Sequence, residues 1–196
     1  MNMKFEFEKT GIEGLQIIHP FIVCDERGYF MKTFEASEFK KHGIEFENAE
    51  DITSFSHKGV LRGVHFQTRH SQEKLVRVLH GEAWDVAVDL RENSPTYGEW
   101  RGFYLSEENK LSVYIPSGFA HGFLALSDDV IFSYRCGHLY EPLYDTGILW
   151  NDKDLGIDWP LDKVDKLIIS EKDQKLQSFQ NFQRNYGGFN SYFSKR

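Results

Sequence analysis

The chain has 196 residues, 40% hydrophobic and 15% aromatic, the composition of one folded domain, or of one domain with a tail, and not of a disordered polymer. A formal net charge of -7 argues against nonspecific nucleic-acid binding, although a few arginines and lysines can still gather round a small anion. No apolar run approaches the roughly 20 residues of a membrane span. The opening Met1-Asn2-Met3-Lys4-Phe5-Glu6 alternates charge with aromatic residues unlike a signal peptide, and Cys24 and Cys136, both apolar-flanked, suggest no disulfide framework. A cytoplasmic protein without a membrane partner is expected.

Residues 4–24 read as short strands, with a break at Pro20 inside His19-Pro20-Phe21-Ile22-Val23. Asp25-Glu26-Arg27-Gly28 is a turn that leads into a strand from Tyr29 to Phe34. Ser37 to His42, closed by Gly43, has the pattern of a short helix with Ser37 as its cap. From Phe46 to Tyr140 the chain is strands at short spacing with turn residues between them, the pattern of a sandwich or barrel. Within it Trp84, Val86, Val88 and Leu90 share one face by period two, and Asp85, Ala87 and Asp89 share the other. After Tyr140 the composition changes. Asn151-Asp152-Lys153-Asp154 and Asp158-Trp159-Pro160 are turn-like, and residues 174–196, polar and aromatic, read as a weakly helical segment followed by a loose tail.

Two stretches carry the chemistry. In Gly59-Val60-Leu61-Arg62-Gly63-Val64-His65-Phe66-Gln67 an arginine and a histidine emerge from an otherwise apolar strand, which is costly unless an anion or a proton-transfer partner meets them. On these residues alone, a satisfied core histidine beside a surface arginine fits equally well. A second stretch, Ile115-Pro116-Ser117-Gly118-Phe119-Ala120-His121-Gly122-Phe123, again sets one histidine in a Gly/Pro turn between apolar segments. Together they resemble the paired motifs of the cupin β-barrel. Gly59 and His65 fit the first motif, but Gln67 stands where its second histidine belongs. Pro116, Gly118 and His121 fit the second, and Ala125 stands where it carries an asparagine. Metal-binding cupins need three or four converging ligands. One histidine per motif implies a cupin with no metal and no cofactor. The expected fold is therefore mainly β, a cupin or jelly-roll β-barrel with a few short helices, mostly C-terminal.

The resemblance sharpens over residues 10–175. Asp25 to Gly28, Gly59 to Gln67, Gln72-Glu73-Lys74-Leu75-Val76, Asp85 to Arg91, Ser94-Pro95-Thr96-Tyr97-Gly98, Ile115 to Phe123 and Trp150-Asn151-Asp152 occur in the order found in the dTDP-4-dehydrorhamnose 3,5-epimerases, cupin-fold nucleotide-sugar epimerases. This implies an epimerase domain over residues 1–175 and a partly ordered extension over 176–196. It also implies a homodimer whose strands cross between barrels, and a nucleotide-diphosphate sugar as partner. The implied base is His65, with Asp173 as its carboxylate; the implied acid is Tyr134, whose phenol is a good proton donor if a cation lowers it. Lys74 is implied at the enolate oxygen and His121 near the sugar. Arg27 and Arg62 suit the diphosphate, since guanidinium pairs bidentately with phosphate. Tyr140 matches the aromatic that stacks on the base, Phe30 and Lys172 match further substrate contacts, and Asp145 is a shortened form of another acidic contact. His19, His42, His57, His70, His80 and His138 match nothing and read as structural or surface residues.

The departures cluster at the nucleotide end. Lys32 and Glu50 replace a glutamate and a glutamine of the family, and read as a compensating charge pair; Ile52 replaces an asparagine. A mono-epimerase, or an epimerase of a different nucleotide-linked 4-keto sugar, would use the same residues. A noncatalytic sugar-binding cupin would be expected to lack His65 or Tyr134, and a metal-dependent cupin would need the second histidine.

Overall fold

Alternation along the chain closes two facing sheets. The computed structural model describes residues 4–45 and 47–189. In chain order its elements are β1 (Glu6–Lys9), β2 (Gln16–His19), β3 (Phe21–Asp25), β4 (Gly28–Lys32), α1 (Ala36–Lys41), β5 (Glu50–Ser56), β6 (Val60–Gln67), β7 (Lys74–His80) and β8 (Glu82–Asp89). They continue with β9 (Trp100–Ser106), β10 (Ser112–Ile115), β11 (Phe119–Ala125), β12 (Val130–Cys136), β13 (Asp145–Gly147), β14 (Ile168–Ile169) and α2 (Phe179–Tyr186), with 3-10 turns at Leu161–Lys163 and Asp173–Lys175. One sheet runs β1-β2-β10-β7-β12-β5, and the other β13-β6-β11-β8-β9 with β14 added in parallel to β6. β3 and β4 form a hairpin apart from both. The architecture is the mainly-β barrel expected.

Three apolar layers hold it. Between the sheets, Val76 and Val78 of β7 meet Ala87 of β8, Phe123 of β11 and Phe132 of β12. Trp84, Val86, Val88 and Leu90 share a face, as their spacing requires, but that face is no surface: Leu155, Trp159, Phe179, Phe182 and Phe189 cover it. β8 is thus buried on both sides, which explains its apolar run. The third layer lies under α1, where fully buried Phe39 packs with Phe5, Ile18 and Leu75.

Three details differ from the sequence expectations. The barrel does not begin near residue 46, because β2 pairs with β10 and so belongs to the first sheet; Phe46 itself lies outside the described residues. Helix α1 is capped at Glu35, not Ser37, because the Glu35 carbonyl accepts the first helical bonds, from the amides of Glu38 and Phe39, while the Ser37 hydroxyl donates to the Glu35 carboxylate. The strand after the Arg27 turn stops at Lys32, two residues short of Phe34.

The segment from residue 176 continues the packing. Ser178 caps α2 by accepting from the Asn181 amide, Asp152 accepts from the Phe179 amide, and Gly187 ends the helix at φ 72. Phe189 then joins β8's end, its amide donating to the Leu90 carbonyl at 2.7 Å. The remainder of the expected tail, residues 190–196, and the opening residues 1–3 lie outside the described residues. Among the described residues no helix is long and apolar enough to cross a membrane.

Candidate active site

A cavity of about 640 Å³ opens between the two sheets. His65 on β6 reaches it from one sheet, and Lys74 on β7 and Tyr134 on β12 reach it from the other. Register fixes the arrangement: His65 and His121 are cross-strand partners on one wall, while on the other Tyr134 lies opposite Val76 and Lys74 opposite Cys136, two residues along.

Asp173 is brought to His65 by the chain that returns along β6. Ile168 and Ile169 pair in parallel with Val60 and Leu61, and the Ile168 amide donates to the Gly59 carbonyl at 2.8 Å. Gly59 is glycine because this crossing is so close that a Cβ there would lie 1.9 Å from the Lys166 carbonyl oxygen. The 3-10 turn that follows sets the Asp173 carboxylate 2.7 Å from His65 Nε2, with the Gly63 amide donating to its other oxygen at 3.2 Å. Burial works to raise the Asp173 carboxyl, but the hydrogen bonds from His65 and Gly63 and the charge of His65 outweigh it and hold the group below its ordinary value. An ionised Asp173 accepts, so His65 Nε2 carries the proton and Nδ1 is left as the basic atom.

A second histidine–carboxylate pair lies on the same wall. His121, buried, has Nε2 2.5 Å from Asp85, which is fully buried in β8. Sequence reading assigned Asp85 to a face but gave it no role; a carboxylate in an apolar strand that is buried on both sides already called for a partner.

The opposite wall is set up differently. Tyr134 is 3.4 Å from the Ser54 hydroxyl, and burial pushes its phenol well above the ordinary range. The Ser54 hydroxyl and Arg62 pull the other way and do not prevail, so the condition of a cation-lowered phenol is not met in this site: removal from water dominates. Lys74 donates to Gln72 Oε1 at 3.1 Å, and burial pushes its ammonium down against the pull of surrounding carboxylates.

Tyr140, Asp145 and Lys172 stand at the mouth. The Tyr140 hydroxyl donates to Asp145 at 2.7 Å, and Lys172 donates to the same carboxylate oxygen. Arg62 lines the cavity too, its guanidinium donating to Ser56 Oγ and to the Phe55 carbonyl. The cavity therefore gathers His65, Lys74, Tyr134, Asp173, Arg62, His121, Tyr140, Asp145 and Lys172, all singled out from the sequence.

Four sequence candidates are not in its lining. Arg27, Phe30 and Lys32 are on the β3–β4 hairpin, where Arg27 pairs with Asp25 and Phe30 is 65% exposed. Glu50 stands behind the wall and accepts from Gln72. The supposed Lys32–Glu50 charge pair does not form within the chain, because Lys32 has a nearer carboxylate in Glu35, at 2.6 Å. Of the unmatched histidines, His19, His57 and His80 sit in exposed pairs with Glu8, Asp129 and Glu107, and His42 stacks on Phe7.

This order of elements around this cavity is found in proteins of known activity. The family model described as dTDP-4-dehydrorhamnose 3,5-epimerase matches residues 9–181. The chain belongs to that family. The dTDP-4-dehydrorhamnose 3,5-epimerase of Methanothermobacter thermautotrophicus is 58% identical over 171 residues, 87% of this chain and 92% of the relative. Among solved structures, the Legionella pneumophila epimerase in complex with dTDP-4-keto-L-rhamnose superimposes with a TM-score of 0.86 at 44% identity, covering 89% of this chain and 93% of the other. A 3'-monoepimerase from Streptomyces bikiniensis in complex with dTDP-quinovose has the same TM-score, 0.86, at 31% identity, covering 95% and 94%. The chain is thus an epimerase, an isomerase by reaction class.

Proposed function

We propose that this epimerase inverts C-3 and C-5 of dTDP-4-dehydro-6-deoxy-D-glucose to give dTDP-4-dehydro-L-rhamnose, with His65 as base and Tyr134 as acid. The observation that carries the assignment is that these two side chains enter one cavity from opposite sheets, so a sugar between them has a base on one face and a proton donor on the other. Both carbons flank the C-4 ketone, which makes their C–H bonds acidic. His65 Nδ1 removes the proton, the bonding pair moves onto the C-4 oxygen as an enolate, and Tyr134 delivers a proton from the other side. Inversion follows at that carbon, and the base and acid then regain their starting states by exchange with solvent before the second.

The remaining roles follow from position. Asp173, ionised, favours the imidazolium that forms on His65. Lys74 stabilises the enolate oxygen, which is worth most in a site that excludes water. His121, held by Asp85, contacts the sugar, and Arg62 takes the diphosphate. Tyr140 stacks on the base, with Asp145 and Lys172 as its neighbours at the mouth.

Arg27, Phe30 and Lys32 belong to this reading only in a homodimer, whereas Glu50 reaches its own chain's cavity through Gln72. The β3–β4 hairpin carries Tyr29 and Phe30 at 57% and 65% exposure on a two-stranded unit apart from both sheets, the form of an arm that reaches a second copy's cavity mouth. We place the epimerase domain over residues 1–175, with α2 of the extension that follows packed into its core. The free thiol of Cys24, exposed, fits a reducing cytoplasm. Chromatographic separation of the two dTDP-ketosugars tests the activity: the protein should convert one to the other, and His65→Asn should slow this by about 10²-fold or more. No conversion by the unaltered protein would reject dTDP-4-dehydro-6-deoxy-D-glucose as the substrate.

A further inference from the structure

Gln67 and Gln72 are the buried glutamines of the site, at 3% and 7% exposure, and the chemistry above uses neither. Gln67 ends β6, two residues beyond His65, where the metal-binding form of the motif would carry its second histidine. Its carboxamide makes three hydrogen bonds, all to main chain. Oε1 accepts from the Glu141 amide at 2.6 Å, and Nε2 donates to the carbonyls of Leu139 at 3.2 Å and His70 at 3.0 Å. Leu139 and Glu141 are the two neighbours of Tyr140. One buried side chain therefore grips the backbone on both sides of the exposed tyrosine and ties it to the residue 70 turn.

Gln72 repeats the device one residue further out. Its Nε2 donates to the His138 carbonyl at 2.7 Å, and its Oε1 accepts from Lys74. Little apolar burial fixes the 138–141 strap, since Leu139 is 60% and Tyr140 48% exposed. Its other ties are the partly exposed His70–Glu141 pair, the Tyr140 hydroxyl donating to Asp145 and the Tyr144 amide donating to the Glu141 carbonyl.

We infer that Gln67 is a positioning residue for the nucleotide: it presents Tyr140 to the base by clamping the strap on either side of it. The inference rests on the reading of Tyr140 as the stacking residue. The residue type follows from the chemistry of the contact. A carboxylate has no donor for two carbonyls, and a neutral imidazole has one donor and one acceptor for three partners. Only an amide supplies two donors and an acceptor at one tip. A wandering Tyr140 would have to be ordered on binding, at the expense of affinity; a strap ordered beforehand avoids that cost.

The test is a double-substitution cycle read by calorimetric titration with two probes, dTDP and inorganic pyrophosphate. Tyr140→Ala should weaken dTDP by about tenfold, the worth of one lost stacking partner. Gln67→Met should weaken dTDP by a similar factor and leave pyrophosphate unchanged. The pair together should be no worse than either alone, because one acts through the other. Equal weakening of dTDP and pyrophosphate by Gln67→Met, or additive losses in the pair, would overturn the inference, since a general loosening or a direct contact gives those results. Should Gln67→Met not fold, Gln67→Glu takes its place in the same cycle, with the same outcomes for and against. If Tyr140→Ala leaves dTDP affinity intact, the stacking reading itself falls, and the positioning role with it; if Tyr140→Ala weakens dTDP and neither Gln67 variant does, only the positioning role falls.

Discussion

Three side chains set the pH behaviour. Asp173 is held below its ordinary value in the folded protein, so protons bind the unfolded chain more readily than the fold. The pair with His65 therefore stabilises the fold fully above about pH 4, and that contribution is lost as pH falls through the carboxylate range. Asp173→Asn should flatten the acid side of a plot of Tm against pH. Lys74 is lowered too, by burial, so its charge is lost before pH reaches the ordinary value of about 10.4. Burial keeps the Tyr134 phenol protonated beyond that range. The alkaline fall of kcat/KM, which reports the free enzyme, should thus follow Lys74, and Lys74→Arg, always charged, should remove it. An alkaline limb unmoved by Lys74→Arg would assign it to another group. Tyr134→Phe should cut inversion by about 10²-fold or more while His65 still exchanges protons, so solvent deuterium should enter unreacted substrate with its configuration kept. Deuterium-free substrate from that variant would mean that Tyr134 is needed for proton removal too. The motif residues His65, Arg62 and His121 were legible because a polar side chain in an apolar strand is an anomaly. Gln67 and Asp85 were harder to see, since their partners are main-chain groups and a distant histidine, set by register and not by sequence neighbours.

Elements were legible where their periodicity was clean, and less so where packing overrides pattern. β8 showed its two faces, but not that the Trp84 face is covered by residues near the far end of the chain. That burial makes α2 part of the core: Phe182 is fully buried against Phe66 and Phe189. Phe182→Ala should cost about 3–5 kcal/mol in a urea unfolding curve, the range for a large cavity in a core. A loss under about 1 kcal/mol would mean that the C-terminal segment packs only loosely. The polar, aromatic composition of residues 174–189 disguised this, because Phe179 and Phe182 are buried at helical spacing while the polar residues between them face outward. The β3–β4 hairpin is the opposite case, aromatic yet exposed. Phe30→Ala, outside the cavity lining of its own chain, should raise KM for the dTDP-sugar if the hairpin serves a second copy. An unchanged KM would remove Phe30 from the site.

At the scale of the molecule, the proposed reading asks an acidic chain to hold a dianionic nucleotide sugar, and its cavity gathers Arg62, Lys74 and Lys172. The sandwich supplies the rest: two walls, so that base and acid approach from opposite sides. The residues on each wall could be read from sequence, but the wall to which each belongs could not. Strand order puts β6 and β12 on different sheets, and that is a long-range property. The proposed epimerisation depends above all on this two-sided approach. Its most direct test is proton NMR of dTDP-4-dehydro-6-deoxy-D-glucose incubated with the enzyme in heavy water. Two-sided proton transfer at both centres predicts a product inverted at C-3 and C-5 and carrying deuterium at both. Label at one carbon only, or at neither above a His65→Ala control, would contradict it.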